Sequence, residues 1–201
     1  MTSLVRTVDA TEEPVSLAEA QAFLRVDSSD DATEIEAIIK VARQMVEDFT
    51  GRALLTQTWK FQDEEWPDAD DDEGPLVLPL NRSPLATVVS VKYYPFDGGA
   101  QTTLDSSKYH VLTGPMPGQI VLKYGEFWPY LYSRPDAVEV EFTAGAASAA
   151  DVPPTLRHAV LLLIAHLYEN RAPINIGNIV NEIPYTVKHL LESHRVGGWI
   201  A

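Results

Sequence analysis

Residues 35–59 combine an amphipathic helix and a strand with almost no loop between them, and this join limits what the chain can fold into. The apolar residues of the helix recur at steps of three, four and seven, which places them on one stripe of a 3.6-residue helix. The stripe consists of Ile35, Ile38, Ile39, Ala42, Val46 and Phe49. Gly51 stands where a left-handed residue would end the helix. Thr and aromatic residues then follow over 54–61, as is typical of a strand.

The pattern on both sides of this join predicts an α+β fold. We expect a helical bundle that carries an inserted antiparallel β subdomain at about residues 54–143. The bundle is predicted to contain a long helix at about 31–50, a helix at about 154–171 and a short C-terminal helix at about 185–195. The second of these helices is apolar on nearly every side, so we expect it to be buried among other elements or subunits.

Turn residues divide the β subdomain into short segments with strand-like patterns. We predict strands at 56–63, 76–80, 87–94, 109–112, 120–123 and 137–142. In the last of these, Val138, Val140 and Phe142 alternate with glutamates, which predicts one buried face and one wet face.

The organisation predicted for the whole chain is one domain, residues 1–201. It has a helical part at 15–52, a β insertion at 53–143 and a second helical part with a C-terminal tail at 152–201. Near its start, Ser16 and Glu19 have the spacing of a capping box, which predicts a short helix to about Leu24.

The composition excludes several classes of protein. There is no Cys among the 201 residues, which removes disulfides, thiolate catalysis and cysteine zinc sites. The N-terminal segment lacks the basic and apolar regions of a signal peptide. The longest apolar run, 159–165, is far shorter than the ~20 residues of a membrane span, so we expect no membrane contact.

The charge is strongly acidic, with 15 basic and 29 acidic residues and a net charge of −14. Proteins that wrap nucleic acid neutralise phosphates with Lys and Arg, so this balance argues against such a protein. It is compatible with a protein past which DNA slides without binding.

One run, residues 63–74, contains eight carboxylates and no base. It lacks the ligand order of an EF-hand, so we interpret it as a solvated loop, with a cation site as the alternative. As a loop it can also form a channel surface or steer a basic partner. Its carboxylates are Asp63, Glu64, Glu65, Asp68, Asp70, Asp71, Asp72 and Glu73.

No motif of a nucleophile elbow, a P-loop or a dinucleotide fold is present. The histidines do not share helix faces, whereas zinc requires three or four converging ligands. We therefore predict no catalytic, cofactor-binding or metal-binding residues.

The chain ends with two glycines followed by Trp199 and Ile200. Burying both side chains stabilises by about 3–5 kcal/mol, so they are costly to leave in water. Two interpretations stay open: the pair folds back on its own core, or it anchors in a partner.

Several segments taken together carry a family resemblance. They are residues 15–26, 50–59, 78–80 with 90–94, and 153–171. Two motifs within them are the most specific. The first is Thr50-Gly51-Arg52 with Gln57-Thr58-Trp59, and the second is Tyr168-Glu169-Asn170-Arg171. In this order they resemble the head–tail connector (adaptor) proteins of tailed bacteriophages and gene transfer agents.

The resemblance implies a structural protein of the virion neck that is assembled in the bacterial cytoplasm. Such proteins form a homo-oligomeric ring, commonly of twelve subunits, beneath the portal protein. The ring extends the DNA channel for genome retention and ejection, without sequence-specific DNA binding, and contacts a downstream neck, stopper or tail protein. Carried over by position, the portal contacts fall on Tyr185, Leu190, Leu191, Trp199 and Ile200.

Two other classes remain as alternatives at this point. One is a small hydrolase or metal-dependent enzyme, which would need convergent polar residues in a pocket. The other is a soluble assembly chaperone, which would lack a ring interface.

Overall fold

A computed structural model describes residues 2–26, 30–67, 76–170 and 185–196. Over these ranges the chain forms α-helices and two antiparallel sheets, which confirms the predicted α+β class. Within the same ranges, no helix has the length and apolar character that crossing a membrane requires.

The chain divides into two compact units. We call them the β unit, Met1–Ala10 with Thr56–Gly145, and the helical unit, Thr11–Leu55 with Ala146–Ala201. The β unit thus includes the first ten residues, which the sequence analysis did not assign to the β part. That all 201 residues act as one connector domain stays a prediction.

The helical unit contains α1 (Leu17–Leu24), α2 (Ala32–Thr50), α3 (Pro154–Glu169) and α4 (Tyr185–Glu192). The long helix α2 packs against the other three, and α3 also contacts α1 and α4. Both α3 and α4 end two or three residues earlier than predicted.

The start of α1 is a complete capping box, as the sequence predicted. The backbone N–H of Glu19 donates to Ser16 Oγ at 3.2 Å, and the backbone N–H of Ser16 donates to Glu19 Oε2 at 2.9 Å. The same glutamate forms an ion pair with Arg157 of α3. This bond ties the N-terminus of one helix to the first turns of another.

The apolar stripe of α2 faces the core of the helical unit. Ile35, Ile39, Ala42 and Val46 are at most 2% exposed. Ile38 and Phe49, at the margin of the stripe, are only half-buried. The helix ends at Gly51, whose φ of 70° is the left-handed conformation that the sequence predicted.

A cluster of charges is buried on the same helix. Arg43 is 1% exposed and Glu47 3% exposed. The guanidinium donates from Nη1 to Glu47 Oε2 at 3.0 Å and from Nε to Glu13 Oε2 at 2.8 Å. The other oxygen of Glu47 accepts the backbone N–H of Leu54 at 2.9 Å. Buried charges persist where they are paired and hydrogen-bonded in this way.

The β unit has two sheets. Its strands are β1 (Ser3–Val8), β2 (Gln57–Asp63), β3 (Val77–Leu80), β4 (Leu85–Tyr93), β5 (Thr102–Thr103), β6 (Tyr109–Leu112), β7 (Gly118–Leu122) and β8 (Val138–Ala144). The order is β1-β2-β8-β4-β5 in the larger sheet and β3-β7-β6 in the smaller. Six strands overlap those predicted, whereas β1 and β5 were missed.

The central strand β8 has one buried face and one wet face, as predicted. Val138, Val140 and Phe142 are fully buried. On the wet face, Glu139 lies 3.2 Å from the ammonium of Lys60 on β2 and 4.0 Å from that of Lys92 on β4. Opposite charges on neighbouring strands support the pairing of all three strands.

Close packing inside the β unit requires a glycine at the start of β7. A Cβ atom at Gly118 would lie 2.3 Å from the Cβ of Leu85 on β4. Since Leu85 is itself buried, the neighbour cannot move aside cheaply. The role of this glycine is therefore close packing between strands of the two sheets.

We expect Glu47→Gln to destabilise the helical unit by about 3–5 kcal/mol, because it leaves the Arg43 charge under-compensated in the core. The amide can still accept the N–H of Leu54, so the charge is what the substitution tests. Urea unfolding measures the effect. Glu36→Gln, on the exposed face of α2, is the control and should change stability by less than about 0.5 kcal/mol. Equal stability of the two variants would refute the buried-charge interpretation.

The capping box should make stability depend on pH. The hydrogen bond from the Ser16 backbone holds the pKa of Glu19 below its ordinary value of 4.5. Desolvation acts in the opposite direction, and the Ser16 hydroxyl and Arg157 lower the pKa further. The stabilisation is therefore present above about pH 4.5 and is lost as pH falls through the lower folded-state pKa. The free energy of unfolding of Glu19→Gln should approach that of the parent as the pH is lowered. A difference that stays constant down to about pH 3 contradicts this assignment.

Candidate functional site

The acidic run is described only up to Pro67. Thr2 Oγ1 donates to Asp63 Oδ2 at 2.6 Å, and the N–H of Glu64 donates to Oδ1 at 2.8 Å. Partial burial acts to raise the pKa of Asp63, but these hydrogen bonds outweigh it and the pKa lies below its usual value. Glu64 and Glu65 are exposed. The other predicted residues, Asp68, Asp70, Asp71, Asp72 and Glu73, lie outside the described residues.

An aromatic cleft lies directly after these two glutamates. The rings of Trp66 and Trp128 stack with centroids 4.3 Å apart and planes 11° apart. Trp66 Nε1 donates to the carbonyl oxygen of Pro129 at 2.9 Å, which holds the two segments together. The cleft has a volume of about 610 Å³, and its walls include Glu64, Glu65, Trp66, Trp128, Tyr130 and Leu131.

Further large apolar side chains of the β unit point into solvent. Tyr124 is fully exposed, and Phe127, Tyr130 and Phe96 are 78%, 88% and 74% exposed. Of these four, Tyr130 lines the cleft, and Phe96 is hydrogen-bonded to Tyr130 through the backbone. Single exposed apolar residues are common, but several exposed aromatic residues in one unit are typical of interaction surfaces. We call this group the aromatic rim.

Backbone pairing outside the regular strands positions the rim. The N–H of Phe96 donates to the carbonyl oxygen of Tyr130 at 3.1 Å, and the N–H of Tyr132 donates to that of Tyr94 at 3.0 Å. The Arg134 guanidinium lies 3.6 Å from the ring centroid of Tyr94. It also forms two hydrogen bonds with Asp136, at 2.5 and 2.8 Å. These bonds hold the pKa of the Asp136 carboxyl below its ordinary value.

Neither the cleft nor the aromatic rim was predicted from the sequence. The available signal was the density of aromatic residues over 124–132, a segment with none of the alternation of a strand. The contribution of Trp66 could not be read from that segment, because it comes from the distant acidic run.

The predicted portal-binding residues have different surroundings. Tyr185, at the start of α4, is 86% exposed, whereas Leu191 is fully buried in the helical unit. Leu190 is half-buried. Trp199 and Ile200 lie outside the described residues. Of the three predicted portal-binding residues that lie within the described ranges, Tyr185 is thus the most accessible to a partner.

The C-terminal end of α4 is tied to the join that follows α2. The N–H of Val196 donates to the carbonyl oxygen of Thr50 at 2.8 Å. Arg52 Nε donates to the carbonyl oxygen of His194 at 2.6 Å. The His194 ring is 2.6 Å from the hydroxyl of Thr155 on α3. Burial, with a smaller effect of Arg52, lowers the pKa of His194 and favours the neutral ring.

His158 and His166 of α3 contact protein groups as well. The ring of His158 meets that of Phe23 edge-on with centroids 6.2 Å apart. The carbonyl oxygen of His166 accepts the side-chain amide of Asn170 at 2.8 Å. Across the described ranges, no three His, Asp or Glu side chains are grouped so that they could hold a metal ion.

Comparison with known proteins gives one family match. The model of the phage gp6-like head–tail connector protein family matches residues 134–195, which is less than half of the chain. No curated protein sequence matches this chain.

Three solved structures share the fold over nearly its whole length. A chain in the neck of an empty gene transfer agent particle, computed with C6 symmetry, is 24% identical with a TM-score of 0.73, covering 98% of this chain and 95% of that chain. A chain in the virion of a native gene transfer agent particle is 23% identical with a TM-score of 0.73, at 96% and 95% coverage. A chain in the neck of the native particle, computed with C12 symmetry, is 25% identical with a TM-score of 0.69, at 98% and 95% coverage.

The family match falls on the last β strand and the helices that follow it, and the structural matches extend over both units. The chain shares its fold with proteins of gene transfer agent necks. Together with the family match, this confirms the resemblance to phage head–tail connector proteins.

Proposed function

We propose that this chain is the connector subunit of a phage-like particle neck, where copies of it form a ring between the portal protein and the next neck or tail component. The ring would contain twelve copies and extend the DNA channel for genome retention and ejection. Assembly would take place in the bacterial cytoplasm before the ring enters the particle.

The observation that carries this proposal is the similarity, over 98% of the chain, to a protein chain in a neck computed with C12 symmetry. A likeness confined to one unit would support a shared module only. Here both the helical unit and the β unit have counterparts in one neck protein. This supports the same architectural role for the complete chain.

Charge supports the channel role. The net charge of −14 opposes binding to phosphates. A wall that repels DNA weakly lets the duplex pass without being held at any one sequence. This is the property that passage of DNA during ejection requires.

Residual apolar surface supports self-packing of the helices. The side chains Leu161, Leu162 and Leu167 of α3 are half-buried within the single chain. Val41 of α2 is 46% exposed. A neighbouring subunit could cover these side chains and remove the remaining apolar surface from water. No observation in the described residues favours the hydrolase or the chaperone over this structural role.

The proposal is tested by mixing the purified chain with its portal protein and imaging the product by electron microscopy. We expect ring-shaped density of the connector beneath the portal, with twelve-fold symmetry in class averages. Portal particles without added density, at connector concentrations well above those of the portal, would refute the ring role. The portal imaged alone is the control.

Deleting residues 197–201 should leave the helical unit folded but weaken attachment to the portal. The reason is that an aromatic and a β-branched apolar residue after two glycines are suited to anchoring in a partner. Circular dichroism reports the fold, and co-sedimentation with the portal reports attachment. Replacing Gly197 by Ser, which keeps the apolar pair, is the matched control. Undiminished attachment of the truncated chain would favour the alternative in which the pair folds back on its own core.

A further inference from the structure

We propose that the aromatic cleft binds an arginine- or lysine-bearing segment of another protein of the particle. This inference adds the chemistry of one partner to the proposed function. It rests on that function only for the place, the particle neck, in which the chain meets the partner. The partner is defined here by its cationic side chain and by the apolar residues beside it.

The shape of the cleft suits a protruding side chain. Its volume of about 610 Å³ accommodates several residues of an extended segment. The stacked indoles of Trp66 and Trp128 form one wall, and their contact keeps that wall flat. Tyr130, which lines the cleft, is 88% exposed and offers apolar area to the neighbours of the inserted side chain.

The charge of the cleft selects a cation. Glu64 and Glu65 line the cleft together with Trp66, Trp128 and Tyr130. Aromatic faces attract guanidinium and ammonium groups, and an arginine can stack on a ring while it hydrogen-bonds a carboxylate. The base that lines the cleft, Arg134, already pairs with Asp136 and lies over Tyr94. Its positive charge is thus paired with the carboxylate of Asp136.

Charge complementarity also indicates which class of molecule enters. Eight carboxylates fall within residues 63–74 of the sequence, and the whole chain carries a net charge of −14. A nucleic acid would meet this field with phosphates of the same sign. A second copy of the chain would bring the same negative charge. A basic segment of a different protein is attracted by the field and is steered toward the cleft.

The test follows the indole N–H signals of the full-length protein by NMR, assigned with one Trp→Phe variant at a time. The probe is a five-residue peptide with two arginines flanked by glycine and proline. We expect a saturable shift of the Trp66 and Trp128 signals, while the signal of Trp59, which is buried under Arg82, stays in place. The same peptide with citrulline in place of arginine should give no saturation, because citrulline keeps the shape and lacks the charge.

The double variant E64Q/E65Q should weaken binding of the arginine peptide about fivefold or more, since it removes two attractive charges at the rings. Both residues are exposed, so the fold should be retained. The matched control E36Q/E169Q removes two exposed charges from the helical unit and should change binding less than about twofold.

Four results would overturn the proposal: no shift with millimolar arginine peptide, equal binding of the citrulline peptide, equal weakening in the control variant, or displacement of the peptide by calcium chloride from a shared cation site. Ring formation on the portal is measured separately. A chain that forms rings and ignores the peptide refutes this inference alone, whereas one that binds the peptide and forms no ring refutes the proposed function alone.

Discussion

The buried contact between Arg43 and Glu47 is the constraint on which the helical unit depends. The guanidinium needs both Glu47 and Glu13 around it, and the second oxygen of Glu47 needs the N–H of Leu54. Two paired side chains on α2 thereby hold the segment before α1 and the segment after Gly51 together. Because uncompensated charge in the core costs several kcal/mol, neither segment can shift without breaking this arrangement.

The residues that carry the family resemblance are explained by these contacts. Thr50 is buried, with its hydroxyl donating to the carbonyl oxygen of Val46 at 2.7 Å. Arg52 bonds the end of α4, and the hydroxyl of Tyr168 donates to Asp31 at 2.6 Å, just before α2. Arg52 and Tyr168 thus each join two separate parts of the helical unit. The resemblance therefore includes residues that hold this unit together.

The sequence was sufficient for the features that local pattern determines. The stripe through Ile35, Ile39, Ala42 and Val46, the stop at Gly51 and the alternation along β8 were all predicted, because burial and backbone conformation follow directly from spacing and residue type. The buried charges were not predicted, since Arg and Glu are residue types that almost always lie at the surface. Strand β1 was missed because it forms by pairing with a strand that is distant in the sequence: Leu4 lies opposite Phe61, more than fifty residues away. The aromatic cleft depends in the same way on the stacking of Trp66 with Trp128.

The placement of β1 and β8 also governs the order in which the chain can fold. Strand β1 is synthesised first but cannot pair until β2 has been made. Strand β8, at the centre of the larger sheet, is the last strand of that sheet to be synthesised. Until residue 144 emerges, β2 and β4 have no common neighbour and both present unpaired edges. Loop closure over such separations is slow, and open edges favour association with other chains. Synthesis of this chain thus passes through an interval in which its β part is half-built, and the acidic charge it carries at that stage opposes aggregation.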